Sequence, residues 1–217
     1  TELQGSDFRE VAARFKAQFE SNNGEAFPQD VMAQLRATCA AMLRGWNAPR
    51  ARTHRKLHGL PDDAALALIV QAMVFGNHNE NSGVGRVTTR NPVTGRAGLE
   101  GDYLPQASGP ELGTRLKPFL RISGEGPTLH SVQPVVWHSL SVNLAQLERH
   151  VCDGLEVDFV VDDGRLWLLS AKPCRRSAAA ALHMAIDMAQ QGLISRDQAL
   201  LRIDPLSLDQ MLHSSIA

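Results

Sequence analysis

Charge imbalance, a cysteine framework and long apolar runs are all missing from this sequence, and each absence removes a class of function. The 22 lysines and arginines are matched by 23 aspartates and glutamates, leaving a net charge of −1. That balance gives no electrostatic footprint for nucleic acid or an anionic membrane. Three cysteines, Cys39, Cys152 and Cys174, fit neither metal-ligand spacing nor a disulfide framework, so a reducing, cytoplasmic setting is expected. No apolar run reaches the ~18 residues of a membrane span, and no charged-then-apolar leader opens the chain. The eight histidines show no His-Glu-x-x-His spacing, and no nucleophile paired with a base can be read from the chain. Repeats and low-complexity segments are absent as well.

What remains is an ordinary globular composition, 43% apolar and 21% charged over 217 residues. Ser6 and Asp7 precede apolar residues at near-helical spacing, Phe8, Val11, Phe15 and Phe19, and Asn22-Asn23-Gly24 closes that helix. Asp30 opens a second helix with Met32, Leu35, Cys39, Met42 and Trp46 on its inner side. A short basic helix, Arg50 to His58, follows Pro49; its Arg50, Arg52, Arg55 and Lys56 read as a solvated face before a phosphate site.

The branched apolar run Leu68 to Phe75 predicts a buried strand. Beyond it come a loop with Asn77, Asn79 and Asn81, then Ser82-Gly83-Val84-Gly85 and a second strand from Val84 to Thr89. Such a loop can set backbone N–H groups against an anion, although hairpin glycines more commonly serve positive φ angles. Strands are further predicted at Leu99–Leu104, Phe119–Ile122 and Val132–Val136, with a helix over Ser141–Val151. Asp162-Asp163-Gly164 marks a hairpin between Leu155–Val161 and Leu166–Ala171. Helices then run from Ser177 to Met188, from Ser195 to Leu201 and from Asp204 to near His213. The fold class is α+β: a mostly antiparallel sheet with flanking helices at both ends. Three segments follow: 1–65 helical, 66–172 rich in strands, 173–217 helical.

The hairpin carries the chemistry. Glu156 and Asp158 are two apart on one strand and therefore share a face. A carboxylate pair of this kind suits Mg²⁺, which takes one or two carboxylates together with phosphate oxygens and water. Ser170 and Lys172 share a face of the neighbouring strand, where Lys172 meets either a phosphate or a carboxylate across the hairpin.

The wording of several stretches resembles pyruvate phosphate dikinase: Gln71-Ala72-Met73-Val74-Phe75-Gly76-Asn77, Ser82-Gly83, Thr89-Arg90-Asn91-Pro92 and Gly164-Arg165-Leu166-Trp167. Trp46-Asn47-Ala48-Pro49-Arg50-Ala51, His58-Gly59-Leu60-Pro61, Gly101-Asp102-Tyr103-Leu104 and Leu208-Asp209-Gln210 extend the likeness over most of the chain. The resemblance implies an ATP-grasp-like fold that binds ATP with Mg²⁺ for phosphoryl transfer. By the same resemblance Val70, Gln71 and Met73 would border the adenine, while Ser82 and Gly83 lie in a loop covering phosphates. Glu156 and Asp158 would be the metal ligands, with Asp158 and Lys172 the catalytic pair and Ser170 a further phosphate contact.

Departures from the family pattern limit this. Where it reads Asp-x-Glu-Phe, this chain reads Glu156-Val157-Asp158-Phe159, and Ser170 and Lys172 stand for a glutamine and an arginine. Lysine keeps the charge but loses the planar fork that grips phosphate. Pro110 stands where the family has an acid, with Glu111 beside it. The family's preceding ATP-binding segment, its phosphohistidine domain and its pyruvate-binding barrel are not in this sequence. The full reaction is therefore expected to need a separate chain supplying the other half or the phosphohistidine domain. The alternative is a degenerate, non-catalytic ATP-grasp-like module used in partner binding or ligand sensing.

Overall fold

The structure is a computed structural model describing residues 5–61, 63, 65–114 and 119–205. The chain divides into two units, Thr1–Gln71 and Ala72–Ala217.

The first unit holds α1 (Gly5–Asn23), α2 (Val31–Trp46) and α3 (Pro49–Leu57). Asp30 caps α2 as its position predicts, its carboxylate accepting from the Ala33 N–H at 2.7 Å. Gly24 leaves α1 at a φ of 74°, and Pro49 starts α3 where a missing N–H costs nothing. The inner face of α2 is only partly covered: Leu35, Cys39 and Trp46 are half-buried, while Met32 and Met42 are exposed. Arg55 is the one buried residue among the described residues of this unit. Its guanidinium donates to the Trp46 carbonyl at 2.7 Å and lies 4.4 Å from the indole centroid. It thereby satisfies a carbonyl that the end of α2 leaves open.

The predicted strand from Leu68 to Phe75 does not form. Residues 65–75 carry no regular structure, and Ile69 is 86% exposed, Met73 73%. An apolar, branched run favours a strand only where another strand offers its ladder, and none lies beside this one among the described residues.

The second unit is built on a five-stranded sheet. Its elements are β1 (Gly83–Arg90), β2 (Ala97–Pro105), α4 (Gly109–Thr114), β3 (Leu120–Arg121), α5 (Leu129–Val132) and α6 (Pro134–Val151). Then come β4 (Leu155–Asp162), β5 (Arg165–Pro173), α7 (Ala178–Gln190) and α8 (Arg196–Leu201). Strand order is β3-β2-β1-β4-β5, every pairing antiparallel. The α+β reading therefore holds. The last predicted helix, from Asp204, falls largely outside the described residues.

A second correction concerns Val132–Val136, predicted as a strand and found at the α5–α6 junction. Thr128 and Ser131 cap α5 reciprocally, and Pro134 takes the first turn of α6. Val136, Leu140 and Leu144 then bury along one helical face, a period that overrides the β preference of the valines.

That face of α6 covers one side of the sheet. Val87, Tyr103, Val157, Phe159 and Val161 pack there with Leu129, Leu140 and Leu144. Two glycines of β1 are required by this layer: a Cβ on Gly83 would strike the Tyr103 ring, and one on Gly85 the Phe159 ring. The two rings stack with centroids 6.1 Å apart. The opposite side keeps a small apolar cluster, Val84, Leu104, Ala107 and Val160. By the strand period of two, it also presents Arg86, Glu156 and Asp158.

Arg90 ties the sheet to the helices beside it. It is 1% exposed and pairs with Glu148 of α6 at 2.8 Å and with Asp187 of α7. Burial opposes its charge, yet hydrogen bonds to Asp187 and Glu148 outweigh that and raise its pKa further.

Candidate functional site

The predicted hairpin forms as its turn chemistry dictates. Asp163 and Gly164 both take positive φ, 50° and 75°, the pair of angles a two-residue turn between twisted strands demands. Register then sets the site: Glu156 lies opposite Lys172, and Asp158 opposite Ser170. An irregularity between Asp158 and Phe159 leaves Leu169 as an extra residue on β5.

Four predicted residues come together as expected. Lys172 Nζ reaches Glu156 Oε1 at 2.9 Å, and Ser170 Oγ donates to Asp158 Oδ2 at 2.9 Å. A fifth residue, which no motif in the sequence singles out, completes the set. Arg86, in the middle of β1, is the cross-strand neighbour of Asp158. Its Nε donates to Asp158 Oδ1 at 2.6 Å and stands 3.5 Å from Glu156 Oε1. No spacing within the hairpin reveals it, because it belongs to another strand and precedes Asp158 by 72 residues. The available signal was a lone arginine amid Gly85, Val87 and Thr88, on the opposite face of β1 from Val87.

The electrostatics follow from this packing. Partial burial works to raise the Asp158 pKa, but hydrogen bonds from Arg86 and Ser170 overcome it and hold the carboxyl below the usual range. The Asp158 hydrogen bond correspondingly raises the Arg86 guanidinium. The face is open, with Arg86 and Lys172 each about half exposed. Surface cavities lie elsewhere, one of about 340 Å³ beside Gly95, His183 and Asp187, another of about 600 Å³ beside Glu100 and Arg121.

Whether the pair suits Mg²⁺ can be tested on its donors. Two carboxylates on one face are chemically apt, but each already touches a cation, Arg86 between them and Lys172 on Glu156. Within this set two negative charges are met by two positive ones, and Asp102, the register partner of Arg86 on β2, adds a carboxylate to the same face that is itself engaged. Among the described residues no group of three or more His, Cys, Asp or Glu side chains converges to hold a metal. As it stands, the set does not fit Mg²⁺.

Val70, Gln71 and Met73 are exposed in the irregular segment 65–75. Ser82 and Gly83 stand at the far end of β1, with Gly83 three residues from Arg86, roughly 10 Å along the strand. Ser82 is fully buried, its hydroxyl donating to Asn79 Oδ1 at 2.9 Å and accepting from Asp163 N at 3.0 Å. Asn79 also donates to Asp163 Oδ1 at 2.7 Å, and Gly164 N donates to the Asn81 carbonyl at 3.0 Å. His78 pairs with Asp162 at 2.8 Å and, with the Phe75 N–H, lowers that carboxyl's pKa. The asparagine loop is thus stitched to the β4–β5 turn. Glu111 accepts from the Ser108 N–H at 2.7 Å and hydroxyl at 2.9 Å, fastening the start of α4.

Fold and site together define an α+β protein with an antiparallel sheet whose face opposite α6 bears a paired, half-exposed set of carboxylates and cations. No protein-family profile matches the chain. It is, however, similar along its whole length to pyruvate, phosphate dikinase of Rhizobium meliloti (strain 1021): 38% identical over 224 aligned positions, covering 100% of this chain and 25% of that protein. Pyruvate, phosphate dikinase of Clostridium symbiosum is 38% identical over 98% of the chain and 24% of its own length. The chloroplastic pyruvate, phosphate dikinase 1 of Arabidopsis thaliana is 32% identical over 98% of the chain and 22% of its own. The resemblance carried by the motifs thus extends over nearly the entire chain, which spans about a quarter of the length of these curated relatives. Among the described residues no helix is long and apolar enough to cross a membrane.

Proposed function

We propose that this chain is the nucleotide-binding portion of a pyruvate phosphate dikinase-like phosphotransferase, with an ATP-grasp-like sheet. The phosphates of ATP lie on the open part of the sheet face opposite α6, against Arg86, Lys172 and Ser170. Val70, Gln71 and Met73 serve the adenine, and the rest of the cleft comes from polypeptide beyond this sequence. A separate chain or further domain carries the phosphohistidine that receives the phosphoryl group. One observation carries the reading: register places Arg86, Glu156, Asp158, Ser170 and Lys172 on one open face, in a chain similar throughout to a quarter of pyruvate, phosphate dikinase.

In phosphoryl transfer most of the catalysis is positioning and charge stabilisation, so protein-borne cations at the phosphates are the groups that matter. No step of this reading runs through Mg²⁺. Calorimetric titration with ATP and with a non-hydrolysable analogue tests it. Saturable binding is expected, with a stability gain of about 2.7 kcal/mol at 100-fold excess over Kd. Lys172→Ala should weaken binding roughly tenfold, the loss of one charge-assisted contact of ~1.5 kcal/mol. No binding at millimolar nucleotide would overturn the reading.

A further inference from the structure

We infer that Arg86 takes the place of a divalent cation at this site, so that the face meets phosphate with charge borne by the protein itself. The inference deepens the nucleotide reading and rests on it for the identity of the ligand, but not for the role of the arginine.

The geometry is specific. A cation bridging Glu156 and Asp158 has to sit between their carboxylates, and the Nε of Arg86 is already there, 2.6 Å from Asp158 Oδ1 and 3.5 Å from Glu156 Oε1. Lys172 engages the same Glu156 Oε1 at 2.9 Å, while Ser170 holds the other oxygen of Asp158. Three of the four carboxylate oxygens are therefore engaged by side chains of the chain itself. A metal entering here would have to displace a guanidinium that has charge, hydrogen bonds and cross-strand register in its favour. Arginine keeps its charge at any working pH, so the substitution is permanent.

The same arrangement leaves Arg86 equipped for an anion. Only its Nε is engaged among the described residues, and the two terminal nitrogens keep their donors. A planar guanidinium with two terminal nitrogens matches adjacent phosphate oxygens, as one does in bidentate recognition. Glu156 and Asp158 then act as positioning residues, fixing the plane of Arg86 and supporting Lys172.

The test uses Mn²⁺ alone, followed by electron paramagnetic resonance on the full chain, with ATP as a separate arm. Wild type should bind no Mn²⁺ that depends on Asp158 up to millimolar metal. Arg86→Gln, which keeps the stem as far as a polar group at the Nε position and removes the charge, should gain such a site, and Arg86→Gln with Asp158→Asn should lose it again. Arg86→Lys should stay metal-free, because it restores the cation. Mn²⁺ binding to wild type that Asp158→Asn abolishes would overturn the inference, and so would failure of Arg86→Gln to gain a site. Where a substitution unfolds the chain, the wild type decides alone: no Mn²⁺ bound up to millimolar metal supports the inference, and saturable micromolar binding overturns it.

In the ATP arm, wild-type affinity in EDTA should lie within about twofold of that in Mg²⁺, and Arg86→Gln should lose about tenfold in EDTA and regain it with Mg²⁺. A tenfold dependence of the wild type on Mg²⁺ would count against Arg86 as the cation. Failure of every variant to bind ATP overturns the nucleotide reading, while the Mn²⁺ result still decides the role of Arg86.

Discussion

Tyr103 is the sole tyrosine of the chain, and it lies wholly inside the layer between sheet and α6. Burial pushes its phenol up to about 12, against a weaker opposing pull from the Gln133 amide, which donates to its oxygen at 3.3 Å. An unfolded tyrosine ionises near pH 10. Because the folded value is the higher one, its contribution to stability is complete below about pH 10 and is lost as pH rises towards 12. The tyrosinate absorbance of the folded protein should therefore remain absent through about pH 10 and rise near 12. A midpoint near 10 in protein whose circular dichroism is still native would mean the phenol reaches water. At this scale the candidate site was only partly legible. Glu156, Asp158, Ser170 and Lys172 could be grouped because a strand period and a short turn relate them. Arg86 could not, because the distance between β1 and β4 in sequence conceals that they are neighbours.

Among elements, β1 is the one with least freedom. Its Ser-Gly-Val-Gly wording suggests a phosphate loop, but two aromatic rings account for Gly83 and Gly85. Gly85→Ala should destabilise by about 1–3 kcal/mol through overpacking, read as a lower urea midpoint at unchanged slope. An unchanged midpoint would show that the Phe159 ring can yield. Elements specified by local chemistry were readable in advance: Asp30, Ser177 and Ser195 cap the helices they precede, and Asp163-Gly164 makes its turn. Elements that depend on a distant partner were not. Leu68 to Phe75 has the composition of a strand without a strand beside it, and Val132 to Val136 has β-branched residues in a helical setting. Composition cannot say which neighbour a segment will find.

At the scale of the molecule, the two units differ in how much they bury. The second owns the large aromatic and aliphatic core, whereas the described part of the first buries only Arg55. Amide exchange should separate them. Val87, Val157 and Phe159 should exchange only through global opening, at the ~5–15 kcal/mol typical of native domains. Amides of α2 should exchange through local openings at a small fraction of that. Equal protection in both units would show that the first is held by contacts its own residues do not provide.

The extra residue Leu169 has a consequence for the outer rim of the sheet. β5 is an end strand, and Trp167, Leu168 and Leu169 leave apolar surface on it. A straight strand of that kind is a template on which another chain can polymerise. At Leu169 the row of free amides and carbonyls loses its even repeat, so an incoming strand in register on one side of it is out of register on the other. The irregularity beside Asp158 thus also guards the protein against self-association through this edge.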